Sequence, residues 1–516
     1  MDRKTNEIDE PVIIETANGK LAGARRAGIL SFKGIPFAAP PIGPLRWRMP
    51  EPVMAWPGVR DATVFGTICP QAPTQLESLM GSTIGEQSED CLYLNVWTPG
   101  CDDAKRPVMV WIHGGAFVIG AGSQGIYNGR HLAARDVVVV TVNYRLGAFG
   151  FLDMTDATDG KLPGTGNEGL ADQILALDWV KRNIAVFGGD PGNVTIFGES
   201  AGGMSIGALL GCAPALELFH KAIPQSGGAH IGHDRERASR AGRAILAEMG
   251  LSASDSARAL DAPYGAIVKA QIAVLADSRD GKDARKLGRL PFQPVIDGTL
   301  LPAKPIDAVR AGSAASIALL TGTMREEWKL FSAADPRLRL MTAKGFTERV
   351  TRLAKEEAPA VLAAYANGSA FERFNAVMTD KSFTVPAIRL AEAQNARAPV
   401  YLYRFDWRSP LLGGIMGSCH ALELGFVFGT HAEKLVGTFF GTGPVAEALS
   451  HTTIDAWTAF AKTGNPATAS TGAWPRYDSA SRQTMIFGDG PPHLAATPDE
   501  TRLRAWDKVP ERKLGP

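Results

Sequence analysis

Apolar and polar positions along this chain follow two periods, and where each holds divides the sequence into regions. From Pro11 to about Phe37, short β-type runs are broken by Gly19, Gly23 and Gly28, which predicts a small antiparallel meander. The stretch from Ile35 to Gly58 is dense in proline (Pro36, Pro40, Pro41, Pro44, Pro50, Pro52, Pro57). Proline removes backbone donors and excludes regular helix, so an ordered, extended surface segment is expected. Beyond it, the strand-length apolar runs Val108–Ile112, Val137–Asn143 and Val194–Phe197 alternate with an amphipathic helical pattern over Leu170–Asn183. Runs apolar at every position suit strands buried on both faces, and their alternation with helices predicts a largely parallel sheet covered by helices on both sides. Residues 233–290 and 330–395 are rich in Ala, Arg and Glu at helical spacing and are expected to be helical excursions from the sheet. Pro294–Gly298, Ile317–Gly322 and Val400–Phe405 return to strand and turn chemistry. Without an internal repeat or a low-complexity linker, residues 1–516 are expected to form one α/β domain with helical cap insertions.

Composition narrows the class. Hydrophobic residues make up 45% and charged residues 21%, which leaves ample material for a core and excludes disordered and fibrous chains. Lysine plus arginine number 54 against 53 acidic residues, so net charge gives no reason to expect nucleic acid or an anionic membrane as partner. A small, largely uncharged molecule is the expected partner. The amino terminus is polar with no apolar signal core behind it, and no run reaches the roughly 18 apolar residues of a membrane span. A soluble, cytoplasmic protein without a membrane anchor is expected. Five cysteines (Cys69, Cys91, Cys101, Cys212, Cys419) with no Cys-x-x-Cys pair indicate neither a disulfide scaffold nor a metal site, and no cofactor is called for.

The chemistry begins at Gly198-Glu199-Ser200-Ala201-Gly202, set between the run Asn193–Phe197 and a small-residue segment able to start a helix. A serine at the tip of a strand-to-helix turn needs glycines around it so that the chains can pass closely; Oγ is then open to a base, and the Ala201 N–H faces a developing oxyanion. Alone, such a pentapeptide is a weak signal. A second glycine element, His113-Gly114-Gly115-Ala116-Phe117, follows the strand ending at Ile112 and supplies further N–H donors. In this architecture acid and histidine follow the serine in that order. Of the seven later histidines, His220, His230 and His233 come too early and His493 lies in a proline-rich tail, whereas His420 follows the glycine-rich loop Gly413–Cys419 and precedes the apolar run Leu424–Phe428. His431 and His451 read as surface residues. For the acid, Glu326 and Glu327 follow the strand Ile317–Leu320, and spacing leaves both open; a Glu-Glu pair flanking Arg325 can also be simply a solvated cluster.

These residues resemble the type-B carboxylesterases of the α/β-hydrolase fold, the group that holds bacterial para-nitrobenzyl esterases, mammalian carboxylesterases and cholinesterases. The resemblance runs through Phe32–Pro41, Ser88–Val96, Val142–Gly147, Phe187–Pro191, Gly198–Gly203, Pro224–Gly228 and Phe460–Pro466, nearly the whole chain. It implies Ser200 as nucleophile, Glu327 as triad acid, His420 as general base and acid, and an oxyanion hole from the N–H groups of Gly115, Ala116 and Ala201. It further implies that Glu199 and Ser226 support the catalytic groups, that Arg46 with Glu89 and Arg145 with Asp172 are structural ion pairs, and that Cys69 and Cys91 match a disulfide, which a reducing cytoplasm disfavours. One departure stands beside the acid: where the family has Asp-Glu-Gly, this chain has Glu326-Glu327-Trp328.

The implied activity is two-step hydrolysis of a carboxylic ester through an acyl-enzyme, with carbamates or aryl amides as alternative substrates. The family also contains non-catalytic adhesion homologues, but those have lost the serine, and here Ser200, Glu327 and His420 are all present. No aromatic residue lies between Cys69 and Cys91, where cholinesterases bind quaternary ammonium by cation–π attraction, so a choline ester is disfavoured. Gly288 and Leu290 stand where cholinesterases carry bulky aromatics, which suggests room for a larger acyl group.

Overall fold

The computed structural model describes residues 11–74, 85–280, 287–332, 335–434, 436–496 and 498–515. The polar first residues and parts of the segments 69–91, 233–290 and 330–395 therefore lie outside the described residues.

Among the described residues, thirteen strands join in one sheet. The meander is present as β1 (Val12–Thr16), β2 (Gly19–Arg26) and β3 (Ile29–Pro36), paired antiparallel in succession, with β4 (Val59–Asp61) beside β2. β5 (Tyr93–Thr98) joins β3 to the main body, again antiparallel. Then come β6 (Arg106–Ile112), β7 (Val138–Val142), β8 (Gly189–Glu199), β9 (Lys221–Gln225), β10 (Ala318–Met324), β11 (Val400–Phe405) and β12 (Thr484–Phe487). These seven are mutually parallel in the spatial order β7-β6-β8-β9-β10-β11-β12, and β13 (His493–Ala495) closes the edge antiparallel. The expected parallel sheet is therefore present, flanked by antiparallel edges.

Side chains sort themselves on the two faces by the period of two. Along β6, Val108, Val110 and Ile112 belong to one buried cluster, with Leu170, Leu177 and Ile206 from helices α1 (Glu168–Asn183) and α2 (Ala201–Leu209). Met109 and Trp111 belong to the opposite cluster, with Ile454, Trp457 and Phe460 from helix α3 (Pro444–Thr463). A strand buried on both sides needs apolar residues at every position, and β7 (Val-Val-Val-Thr-Val) is wholly buried.

Helices lie in both of the segments 233–290 and 330–395: Arg235–Glu248 and Tyr264–Asp280 in the first, and Ala343–Ala354, Ala358–Ala364, Ala370–Thr379 and Val385–Asn395 in the second. Ser369 and Glu372 cap the helix at Ala370 reciprocally. Val385–Asn395 packs against β10 and β11, burying Ile388, Leu390 and Ala391. The proline-rich stretch differs from expectation. Pro44 opens a 3₁₀ turn, Gly43–Leu45, which it can do because its missing N–H is not needed at a helix start. After that turn Arg46 and Trp47 plunge inward, 5% and 1% exposed, and the Trp47 indole donates to the Ala148 carbonyl.

Two buried ion pairs tie this N-terminal layer to the sheet. Arg46 grips Glu89 with two hydrogen bonds and donates to the carbonyls of Ala259 and Leu260. Arg145 holds Asp172 at 2.7 and 2.9 Å with both partners fully buried, and reaches the Arg48 carbonyl. Cys69 and Cys91 are neighbouring, buried free thiols; a hydrogen bond that Cys91 donates to Cys69, together with burial, pushes the Cys91 thiol well up. A buried pair that loses one partner leaves an uncompensated charge. Asp172→Ala should therefore destabilise the protein by about 3–5 kcal/mol, read as a lowered denaturant midpoint, whereas Asp178→Ala on the exposed face of the same helix should change it by less than about 1 kcal/mol.

Candidate active site

The order β7-β6-β8 reverses chain order at β6, so the loops leaving β6 and β8 part to opposite faces and open a crevice at the carboxyl ends of the strands. All the predicted chemistry gathers at that edge. Ser200 follows β8, Gly114 and Gly115 follow β6, Ser226 follows β9, Glu327 comes three residues after β10, and His420 lies on the loop system after β11.

At the end of β8 the chain turns sharply. Ser200 takes φ 55°, ψ −119°, a strained conformation for a residue with a side chain, and caps α2. Glycines make the turn possible: a Cβ on Gly202 would sit 2.0 Å from the Ile112 carbonyl oxygen, and one on Gly198 2.6 Å from it. Ser200 N–H donates to the Gln225 carbonyl. The serine itself is half-buried while Glu199 and Ala201 are closed off, so the hydroxyl sits at the crevice surface.

The glycine element after β6 is equally strained. Gly115, Ala116 and Phe117 all have positive φ, 113°, 54° and 64°. Gly115 is irreplaceable on steric grounds, since a Cβ there would lie 2.1 Å from the Ile119 carbonyl oxygen. Among the described residues no backbone acceptor takes the N–H of Gly115 or Ala116. Ala201, as first residue of α2, has an N–H without an intrahelical acceptor. His113 braces the element from behind. It is fully buried, stacked on Tyr144 at 4.4 Å, with Nδ1 2.8 Å from the Gly114 carbonyl, and burial lowers its pKa to about 4, so it is neutral at physiological pH.

His420 is the meeting point. Its Nδ1 lies 2.6 Å from Glu327 Oε2, and Nε2 lies 3.0 Å from Glu199 Oε1 without hydrogen-bond alignment. Glu327 is completely buried, and its other oxygen accepts from the Ser226 hydroxyl at 2.6 Å and the Met324 N–H at 2.9 Å. Glu326, which spacing left open as the acid, points elsewhere. It pairs with Lys329 at 2.5 Å and accepts from the Ser418 N–H, while its own N–H donates to the Ser418 carbonyl. Glu326 thus pins the loop that carries His420. Burial works against an imidazolium at His420, but the Glu199 and Glu327 carboxylates outweigh it and hold its pKa well above the ordinary value.

Several neighbours were missed from sequence. Glu423, three residues past His420, is fully buried, and burial, then the charges of Glu199 and Glu327, push its pKa up to about 8. Gln225 joins it to the serine turn, donating to Glu423 Oε1 while accepting from the Trp457 indole. A glutamate three residues after His420 is the one signal that could have been read. The rings of Phe331 and Phe383 lie 5.0 and 4.7 Å from that of His420, and Trp328 packs on Phe331 at 5.0 Å. Trp328 is 6% exposed and supports an aromatic wall of which Phe331 is the exposed member. Phe383 rides on a π-helical turn, Asp380–Thr384, whose Lys381 ammonium donates to the Gly515 carbonyl near the carboxyl end. The space beside Gly288 is filled by the Arg237 guanidinium, so the missing side chain there does not by itself enlarge the site. His431, expected at the surface, is instead buried and stacked on Phe426 at 5.1 Å, because the loop after Phe428 folds back under α3; His451 is exposed as expected.

A model of the Carboxylesterase family matches residues 10–506. The chain belongs to the carboxylesterase family. It is 42% identical to para-nitrobenzyl esterase of Bacillus subtilis (strain 168) over 92% of this chain and 94% of that one. It is 33% identical to phenmedipham hydrolase of Pseudarthrobacter oxydans, over 96% and 99% of the two chains. Among solved structures, a thermophilic para-nitrobenzyl esterase matches with TM-score 0.85 at 39% identity, and a Geobacillus stearothermophilus carboxylesterase with TM-score 0.86 at 37%, covering 96% of this chain and 99% and 100% of theirs. The protein has the α/β-hydrolase fold and is a carboxylic ester hydrolase. Among the described residues no helix of this esterase is long and apolar enough to cross a membrane.

The carboxylates around His420 make two titrations predictable. Only neutral imidazole can accept a proton, so a reaction that uses His420 as its base should have an acidic limb of kcat/KM that tracks the raised pKa of His420. Glu199→Gln removes one of the two charges that raise it, and the limb should move to lower pH. For Glu423 the native carboxyl binds its proton up to about pH 8, against 4.5 for the ordinary group. Between those values the folded state holds more protons, so this group's stabilisation is present at low pH and lost as pH rises through 8. Unfolding measured from pH 5 to 8 should show wild type losing stability relative to Glu423→Gln.

Proposed function

We propose that this carboxylesterase acts through Ser200 as nucleophile, His420 as general base and acid and Glu327 as the acid that orients it, with Gly115, Ala116 and Ala201 as oxyanion donors. The observation that carries this reading is the short contact of 2.6 Å between His420 Nδ1 and a fully buried Glu327. With Nδ1–H donated to Glu327, the neutral ring presents Nε2 as the acceptor, on the side where Glu199 and the serine turn lie. His420 takes the Ser200 proton as Oγ attacks the ester carbonyl, and the three N–H groups receive the oxyanion. The same histidine protonates the departing alcohol. It then activates the water that releases the acid from Ser200. Ser226 supports Glu327 by its hydrogen bond, and Glu199 tunes the charge on the base.

The aromatic wall supports esters bearing an aryl group, because Phe331 offers a flat, exposed face beside the base. The relatives' names, para-nitrobenzyl esterase and phenmedipham hydrolase, point the same way. The second of them favours carbamates as an alternative substrate class for the same groups.

Ser200→Ala and His420→Ala should each lower kcat on para-nitrophenyl butyrate by at least about 10³-fold with unchanged thermal unfolding. Glu327→Gln should cost far more than Glu326→Gln, and the reverse order would overturn the assignment of the acid. A panel of phenyl, benzyl and ethyl esters beside aryl carbamates resolves the substrate class. Phe331→Ala should raise KM for the aryl esters while leaving ethyl esters little changed.

A further inference from the structure

Trp328 stands at the junction of the two segments that bring aromatic rings to His420. Its carbonyl accepts the N–H groups of Phe331 and Ser332, each at 3.1 Å, in the short helix Lys329–Ser332 that carries Phe331. Its own N–H donates to the Thr379 hydroxyl at 3.1 Å. Thr379 ends the helix Ala370–Thr379, and the π-helical turn that carries Phe383 follows directly. One residue is therefore bonded through its backbone to both arms of the aromatic wall.

The indole repeats that arrangement with its ring. It lies 5.0 Å from the Phe331 ring and 6.4 Å from the Phe383 ring, tilted by 47° to each. Phe331 and Phe383 are in turn nearly parallel, their planes 5° apart and their centroids 6.1 Å apart. The Arg289 guanidinium lies over the indole at 5.0 Å, a cation on an aromatic face. The three rings differ in freedom, because Trp328 and Phe383 are buried whereas Phe331 is 45% exposed. A phenylalanine with solvent on one side samples several rotamers, and a ligand that needs one of them bears the entropy of ordering it. With Trp328 and Phe383 packed against Phe331, that ordering is complete before a substrate arrives.

We propose that Trp328 is a positioning residue that sets a preference for aryl esters, by holding Phe331 in the orientation that receives a flat ring. The proposal rests on the reading of Phe331 as the aryl-binding face. The glycine that the family carries at this position can make the same backbone bonds but supplies no ring behind Phe331. The departure from Asp-Glu-Gly is on this account a change in substrate selection that leaves the acid Glu327 in place.

Trp328→Ala keeps the backbone N–H and carbonyl and removes only the indole. The test compares benzyl and ethyl esters of one acid, whose alcohols leave with similar ease. The benzyl-to-ethyl ratio of kcat/KM should fall at least about fivefold in Trp328→Ala, through a raised KM for the benzyl ester. Trp328→Leu, which refills much of the volume without a flat ring, should lower the ratio as well and gives the same reading if the alanine variant does not fold. Trp328→Phe should keep more of the ratio than Trp328→Leu. An unchanged ratio, a loss shared equally by both esters, or a leucine variant as selective as the phenylalanine one would sink the proposal, leaving the indole as support for the fold around Glu327. Phe331→Ala, assayed alongside, separates the two readings. An unchanged ratio there removes aryl recognition by Phe331 and this proposal with it, whereas a fall there and none in the Trp328 variants removes this proposal alone.

Discussion

Everything at the catalytic edge depends on how closely two backbones pass. The turn after β8 runs against the end of β6 at a distance that admits no side chain at Gly198 or Gly202, since a methyl group at either would fall inside the contact radius of the Ile112 carbonyl. That approach forces Ser200 into its strained conformation, and the same packing sets the β6 loop beside it. Ser200 and the N–H groups of Gly115 and Ala116 are therefore positioned by one steric constraint rather than by separate adjustments. The strain is tolerable because the parallel strands on either side are buried on both faces and cannot relax toward it.

The second organising principle is electrostatic. Glu199 and Glu327 flank a single imidazole in a region closed to solvent, and the buried Glu423 feels the charge of both, an arrangement that would be prohibitively costly if all three were ionised beside a neutral ring. The charge is distributed instead: one carboxylate fully satisfied by Ser226 and a backbone N–H, one facing the ring, and one holding a proton under neutral conditions. Gln225 couples this arrangement to the serine turn, its carbonyl taking the Ser200 N–H and its amide touching Glu423. Backbone geometry and proton distribution are thus linked through one buried residue.

Much of this was legible in the residue pattern. The apolar runs at β6, β7 and β8 announced strands buried on both faces, and the glycines around Ser200 and after Ile112 announced close backbone passage. What local sequence could not show was pairing across distance. Glu326 and Glu327 are equivalent by spacing, and only the fold sends one inward to His420 and the other sideways to Lys329 and the Ser418 amide. His431 looked like a surface residue because its burial comes from a loop folding back beneath a helix later in the chain. Phe331 and Phe383 meet at His420 from different parts of the second helical excursion, a convergence no periodicity encodes. Trp328, odd by comparison with the family, acquires a physical role only once its neighbours are known.

The π-helical turn Asp380–Thr384 carries the packing at His420 outward. Phe383 rests on His420, while Lys381 two residues earlier is tied to the Gly515 carbonyl, and Gly515 in turn donates to the Lys381 carbonyl. The seat of the Phe383 ring is therefore held from two sides, by its own helical turn and by a distant stretch of chain, so a change in that distant stretch would be felt at the imidazole without altering any group beside it.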